Sequence, residues 1–154
     1  MRLKDILRQK GSDVVTIAPG ATVHDAVVKM NKHRIGALVV RGEDGEVAGI
    51  ISERDVLRMC GERCALLENQ KLEEDPCPML VSDIMSTDLV VGVPDDKIDY
   101  AMGIMTNNRV RHLPIMEGQD LVGMVSIGDV VRAHLTEKTY ENRMLKDYIQ
   151  GVLR

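Results

Sequence analysis

The sequence predicts an α+β fold built from two copies of one β-α-β-β-α unit. Three observations predict it. The chain repeats itself at a nearly constant spacing, and each copy sets short β-branched runs and amphipathic helices at the same places. One copy, about 60 residues, is also marginal for an independent core, so two copies packed sheet to sheet would bury faces that neither buries alone.

The repeat is direct. Leu3-Lys4-Asp5-Ile6-Leu7 matches Val81-Ser82-Asp83-Ile84-Met85, and Asp13-Val14-Val15 matches Asp88-Leu89-Val90. Pro19 matches Pro94, an offset of 75 residues that also carries Val23, Ala26, Met30 and Arg34 onto Ile98, Ala101, Met105 and Arg109. Ala37-Leu38-Val39-Val40 falls on His112-Leu113-Pro114-Ile115. A one-residue deletion then brings residues 49–56 onto 123–130. Chance does not hold one register that far.

Within copy one, residues 14–17 read as a strand stopped by Pro19-Gly20. Thr22-x-x-Asp25 opens a helix as a capping box, with Val23, Ala26, Val27 and Met30 at helical spacing. Residues 37–40 read as a buried strand, Gly42-Glu43-Asp44-Gly45 as a hairpin turn, residues 47–51 as the returning strand, and Ser52 as the cap of a second helix. Copy two repeats the order, with Glu117-Gly118-Gln119-Asp120 as its turn. The expected organisation is repeat one over 3–66, a linker over 67–80 marked by Glu73-Glu74-Asp75-Pro76 and Pro78, repeat two over 81–136, and a C-terminal helix over 137–154. In that last helix Tyr140, Met144, Tyr148 and Val152 form an apolar stripe, with Leu145 and Ile149 beside it. The stripe either covers its own domain or clasps a second subunit.

Composition narrows the function. With no Trp, no Phe and three Tyr, the chain lacks the rings on which single-stranded nucleic acid stacks, and ten Met join Val, Ile and Leu in filling the core. A net charge of −4 gives no positive field for DNA or acidic membranes. No apolar run approaches the roughly 18 residues of a membrane span, and no signal-peptide stretch is present. Cys60 and Cys64 lie four apart on a predicted helix and could begin a metal site. A second ligand pair is missing, since the histidines stand at 24, 33, 112 and 134. With Cys77 they read as reduced thiols of a cytoplasmic protein, and no metal is expected.

The strand-end pattern Gly-apolar-x-Ser-x-x-Asp stands twice, at 49–55 and 123–129. Together with Arg109-Val110-Arg111-His112-Leu113-Pro114-Ile115 it resembles the signature of tandem CBS (cystathionine-β-synthase-type) repeats, across roughly residues 3–66 and 81–136. The resemblance implies two small sheets packed with pseudo-twofold symmetry, helices outside, and two equivalent clefts between the repeats. In that family such clefts often bind AMP, ADP, ATP or S-adenosylmethionine to regulate an attached or partner protein, and two modules commonly pair into a disc. NAD(H) is a further ligand to consider, and a di- or triphosphate would bring Mg2+.

The residue chemistry suits such a ligand. A carboxylate accepts from both hydroxyls of a ribose, the part foreseen for Asp55 and Asp129. Ser52 and Ser126 lie at helix starts, where free N–H groups favour phosphate. Arg54 and Arg58 in copy one, Arg132 in copy two, and Arg111 with His112 on a strand are candidate phosphate cations. The resemblance implies phosphate contacts for Arg111 and His112, and base contacts for Thr16, Gly36, Ala37 and Pro114; Val91, the counterpart of Thr16, lacks its hydroxyl. Ser-x-x-Asp is equally a helix cap, as Thr22-x-x-Asp25 shows. Arg34 and Arg109 read as helix-ending residues, and His24, His33 and His134 as surface residues. Neither His112 nor the cysteines have an orienting partner for catalysis, so the expected protein is no enzyme. It is a sensor acting on a partner protein in trans, or else a dimeric interaction scaffold with empty clefts.

Overall fold

The computed structural model describes residues 1–66 and 79–151. The elements run α1 (Leu3–Lys10), β1 (Thr16–Ile17), α2 (Val23–His33), β2 (Ala37–Arg41), β3 (Val47–Ser52) and α3 (Glu53–Leu66), then α4 (Val81–Ile84), α5 (Ile98–Asn107), β4 (His112–Glu117), β5 (Asp120–Ser126) and α6 (Ile127–Ile149). The mixed α+β class with two small sheets is as expected. In the first sheet β1 pairs parallel with β2, Thr16 opposite Val39, and β2 pairs antiparallel with β3, Ala37 opposite Ser52. In the second, β4 and β5 are antiparallel with His112 opposite Ser126. Both hairpins slip register at the matching point, between Val40 and Arg41 and between Ile115 and Met116. Even the irregularity is duplicated.

The copies differ at their first strand. Copy two has no counterpart of β1 beyond one parallel bridge between Gly92 and Ile115. Proline accounts for this. In copy one the Val39 N–H donates to the Val15 carbonyl (3.4 Å), whereas the matching residue in β4 is Pro114, which has no N–H to give. Pairing survives only through the Gly92 N–H to the Pro114 carbonyl and the Met116 N–H to the Gly92 carbonyl.

The compact units do not coincide with the repeats. One unit joins Met1–Asp13 to Val90–Arg154, and the other is Val14–Leu89. The opening helix of each copy is therefore exchanged. Leu3 and Ile6 of α1 are buried among Ile98, Ala101, Met105, Leu113, Ile115, Val125 and Val130. Val81 of α4 is buried among Ile17, Ala26, Met30, Leu38, Val40 and Ile51. The same backbone bonds fasten both: Leu3 and Lys4 N–H donate to the Asp96 and Pro94 carbonyls, and Val81 and Ser82 N–H donate to those of Ala21 and Pro19. These bonds satisfy the helix-start donors that have no partner within their own helix.

The exchange also explains the glycine of the repeated pattern. A Cβ at Gly49 would stand 2.7 Å from the Ser86 carbonyl oxygen, and one at Gly123 would stand 2.6 Å from Leu7 Cδ2. Each glycine is where the segment of the other copy crosses a strand. The capping box at Thr22 and Asp25 forms in both directions. Arg34 and Arg109 end α2 and follow α5 with φ of 54° and 55°, left-handed turns at matching positions.

Past residue 127 a single helix runs across the expected boundary at 136. No break separates repeat two from the segment expected as a C-terminal helix over 137–154: α6 runs unbroken to Ile149, and past Gly128 in its first turn no glycine or proline interrupts it. Tyr140, Leu145, Tyr148 and Ile149 are all exposed along it. The expected linker over 67–80 falls outside the described residues except for its last two. There Met79 accepts from the Val23 N–H, and Leu80 bridges to Thr22. Among the described residues no helix is long and apolar enough to cross a membrane.

Candidate functional site

Each unit carries a cleft at the start of the helix that follows its hairpin. In the unit of Val14–Leu89, α3 begins directly after β3, so Ser52 is both the last strand residue and the helix cap. Its N–H and hydroxyl donate to Asp55 Oδ2 (2.8 and 3.0 Å), and the Asp55 N–H returns to Ser52 Oγ (3.4 Å). Asp55 is only 8% exposed, the single buried charged residue among those described. It lines a cavity of about 330 Å³ with Arg58, Met59, Glu62, Arg63 and Asp83.

The other unit repeats this arrangement at Ser126. Its N–H donates to Asp129 Oδ2 (2.8 Å), and the Asp129 N–H donates to Ser126 Oγ (3.2 Å). A cation now joins. Lys10, at the end of α1, donates from Nζ to the same Oδ2 (2.7 Å) and to the Met124 carbonyl (3.0 Å). Arg132 Nη1 stands 3.8 Å from Asp129 Oδ1. Burial pushes the Asp129 carboxyl up, but the bonds from Lys10 and Ser126 outweigh it and hold the group below the ordinary carboxylate value of 3.8. Lys10, Asp129 and Arg132 line a cavity of about 240 Å³ with Ile6, Gln9 and Thr136. Both cavities lie near the lower end of small-molecule sites, roughly 300–1,000 Å³.

The structure thus brings Asp55 together with Arg58 and Asp129 together with Arg132, each pair beside its capping serine. Thr16, Gly36, Ala37, Arg54, Arg111, His112 and Pro114 line neither cavity. Ala37 and Pro114 are buried in strands, so their side chains present no surface to a base. Gly36 does not leave open space either: the Glu53 carboxylate lies 3.1 Å from where its Cβ would be. The Gly36 carbonyl accepts from the Glu53 N–H (3.0 Å), just as the Arg111 carbonyl accepts from the Ile127 N–H (2.8 Å). Arg111 is exposed, and His112 opposes Ser126 in the β4–β5 ladder. Arg54 is exposed at the start of α3, and Thr16 gives its carbonyl to Lys29 Nζ. Sequence reasoning missed Lys10, Glu53 and Asp83; the only available signal was their charge, which surface residues share.

Among the described residues no three His, Cys, Asp or Glu side chains converge to hold a metal ion. Cys60 is exposed on α3, while the Cys64 side chain and Cys77 lie outside the described residues.

The model of the CBS domain matches this chain twice, over residues 3–62 and 81–136. The chain belongs to the CBS-domain family. It is 39% identical over 157 residues to the mitochondrial CBS domain-containing protein CBSX3 of Arabidopsis thaliana, covering 97% of this chain and 72% of that one. A CBS-domain protein from Agrobacterium tumefaciens has the same fold, with TM-score 0.73 and 38% identity over 86% of this chain and 92% of the other. Two more distant structures share the fold. A CBS pair holding 5′-methylthioadenosine and S-adenosylmethionine has TM-score 0.70 at 22% identity, covering 89% of this chain and 98% of that one. CBSX2 with AMP has TM-score 0.68 at 23%, with the same coverage.

Proposed function

We propose that this chain is a regulatory module that binds an adenosine-containing ligand in these clefts and passes its occupancy to a partner protein. The observation that carries the reading is the repeated placement of a carboxylate and an arginine, three residues apart, in a cavity at a capped helix start. The carboxylate can accept from both ribose hydroxyls, and the arginine can meet a phosphate one helical turn away. The clefts are formed by both repeats, because Lys10 faces Asp129 across from repeat two and Asp83 faces Asp55 across from repeat one. An adenosyl group is also what AMP, 5′-methylthioadenosine and S-adenosylmethionine have in common. Binding would bridge an exchanged helix to its host unit, which gives a partner two states to read.

The test is calorimetric titration with AMP, ADP, ATP, NADH and S-adenosylmethionine, with and without Mg2+. The wild-type protein is expected to bind at least one at micromolar or tighter Kd, and the doubly substituted Asp55→Asn, Asp129→Asn protein none. Asparagine retains the shape and the backbone cap, so lost binding reports lost charge rather than lost fold. No heat with any of the five ligands would overturn the reading.

One observation favours a second reading, a dimeric scaffold whose clefts stay empty. Both Asp55 bonds return to its own helix cap, and α6 exposes Tyr140, Leu145, Tyr148 and Ile149. It predicts a dimer by sedimentation whose melting temperature ignores every adenosine ligand.

A further inference from the structure

Among the described residues, Lys10 is a cation that the exchanged helix α4 does not match in the other cleft, where Asp83 stands instead. It reaches Asp129 because α1 runs two turns, to Lys10, whereas α4 stops at Ile84 after one. Its ammonium donates to Asp129 Oδ2 and to the Met124 carbonyl. A ribose that takes over the carboxylate must therefore displace Lys10 or share with it. A neutral ligand that displaced it would leave a 40%-exposed ammonium without its counter-charge, whereas a ligand bearing phosphate would offer a new one. Arg132 stands on the same wall, so the side chains lining this cavity carry two positive charges to one negative. The Asp55 cavity has the opposite balance, with Asp55, Glu62 and Asp83 against Arg58 and Arg63.

We infer that Lys10 is a specificity-determining residue: it makes the Asp129 cleft selective for adenosine ligands that carry a phosphate, while the Asp55 cleft lacks that selection. This rests on the adenosine-binding function proposed above. Lys10 exchanges its carboxylate partner for the phosphate and so frees Asp129 for the ribose. Adenosine, which has no anionic group, cannot complete that exchange.

The experiment compares AMP with adenosine in the Asp55→Asn protein, which isolates the Asp129 cleft, with and without Lys10→Met. The Met keeps the aliphatic stem and removes the charge. The AMP-over-adenosine preference should fall roughly 10- to 100-fold on Lys10→Met, the worth of one charge-assisted hydrogen bond, with the loss on the AMP side. Lys10→Arg should retain most of it. An unchanged preference, or equal weakening of both ligands, would overturn the role of Lys10 while leaving adenosine binding standing. Loss of AMP binding in the Asp55→Asn protein alone would overturn the assignment to the Asp129 cleft. No binding of any adenosine ligand by the wild type would overturn the parent function and the selectivity with it. Carboxyl NMR of the ligand-free protein separates the cases: Lys10→Met must raise the Asp129 pKa, and a carboxyl that does not move refutes the exchange whatever binds.

Discussion

The Asp55 and Asp129 clefts descend from one pattern, yet they differ in what meets the carboxylate. Ser52 caps α3, which carries Asp55 and Arg58, as Ser126 caps α6, which carries Asp129 and Arg132. The opposing walls diverge. One is a two-turn helix delivering Gln9 and Lys10, the other a single turn delivering Asp83. Duplication has conserved the backbone trap for a carboxylate within each copy, while the charge set against it comes from the segment exchanged between copies. Such a device lets two clefts share a geometry and part in preference.

The comparison breaks first at the exchanged helices themselves. Leu3 is fully buried, with Ile6 of the same helix, in a core made otherwise of repeat-two residues, so Leu3→Ala should cost roughly 2–5 kcal/mol in denaturant unfolding. Val81→Ala removes less side chain from the matching place and should cost less. A cost below about 1 kcal/mol at Leu3 would mean that α1 is not anchored as described. Next come the crossing glycines. Gly123→Ala meets the tip of Leu7, which can rotate away, whereas Gly49→Ala meets the Ser86 backbone carbonyl, which cannot. Overpacking of this kind costs about 1–3 kcal/mol, and Gly49→Ala should stand at the upper end. Equal melting temperatures for the two variants would contradict the difference in their neighbours.

Much of this was legible in the residues. Period and pattern located the duplicated elements, and Thr22 with Asp25 announced its own cap. Local signals have local causes: a cap needs a hydroxyl and a carboxylate three residues apart, and both are visible in the chain. The helix exchange was not legible, because Leu3 and Val81 donate to carbonyls in the other half of the chain, and carbonyls carry no residue identity. Lys10 was hidden for a related reason. A lysine in the last turn of a short helix reads as solvated or as balancing the helix dipole, and only the exchange brings Asp129 to it. Pro114 is in plain view in the sequence, and its missing N–H accounts for the lost strand of copy two, a consequence that shows only once its partner strand is known.

Smaller effects separate the two caps. The Ser52 hydroxyl both accepts from the Asp55 N–H and donates to Asp55 Oδ2, while the Ser126 hydroxyl shares the Asp129 carboxylate with Lys10, which donates to Oδ2 at 2.7 Å. Ser→Ala at an N-cap costs about 1 kcal/mol, and the Ser52 variant should lose more than the Ser126 variant. The reverse order in matched denaturant titrations would show that Lys10, not Asp129, depends on the second cap.

The finest distinction is the pH dependence that Lys10 imposes. Because the Asp129 carboxyl is held below its unfolded value of 3.8, the pairing stabilises the fold at neutral pH. That contribution fades as the pH drops toward 3.8 and is gone once the folded carboxyl is protonated. Lys10→Met removes the lowering that Lys10 supplies and leaves the bonds of Ser126 alone against the upward push of burial, so the folded carboxyl should titrate at higher pH than in the wild type. The stability gap between wild type and Lys10→Met should therefore be widest near neutrality, close in acid, and shrink with added salt. With Lys10 partly in solvent the gap should stay under about 1 kcal/mol. A gap of that size that ignored both pH and salt would mean that the aliphatic stem of Lys10, which lines the cavity with Ile6, matters more than its charge, and the two clefts would then differ in shape rather than in electrostatics.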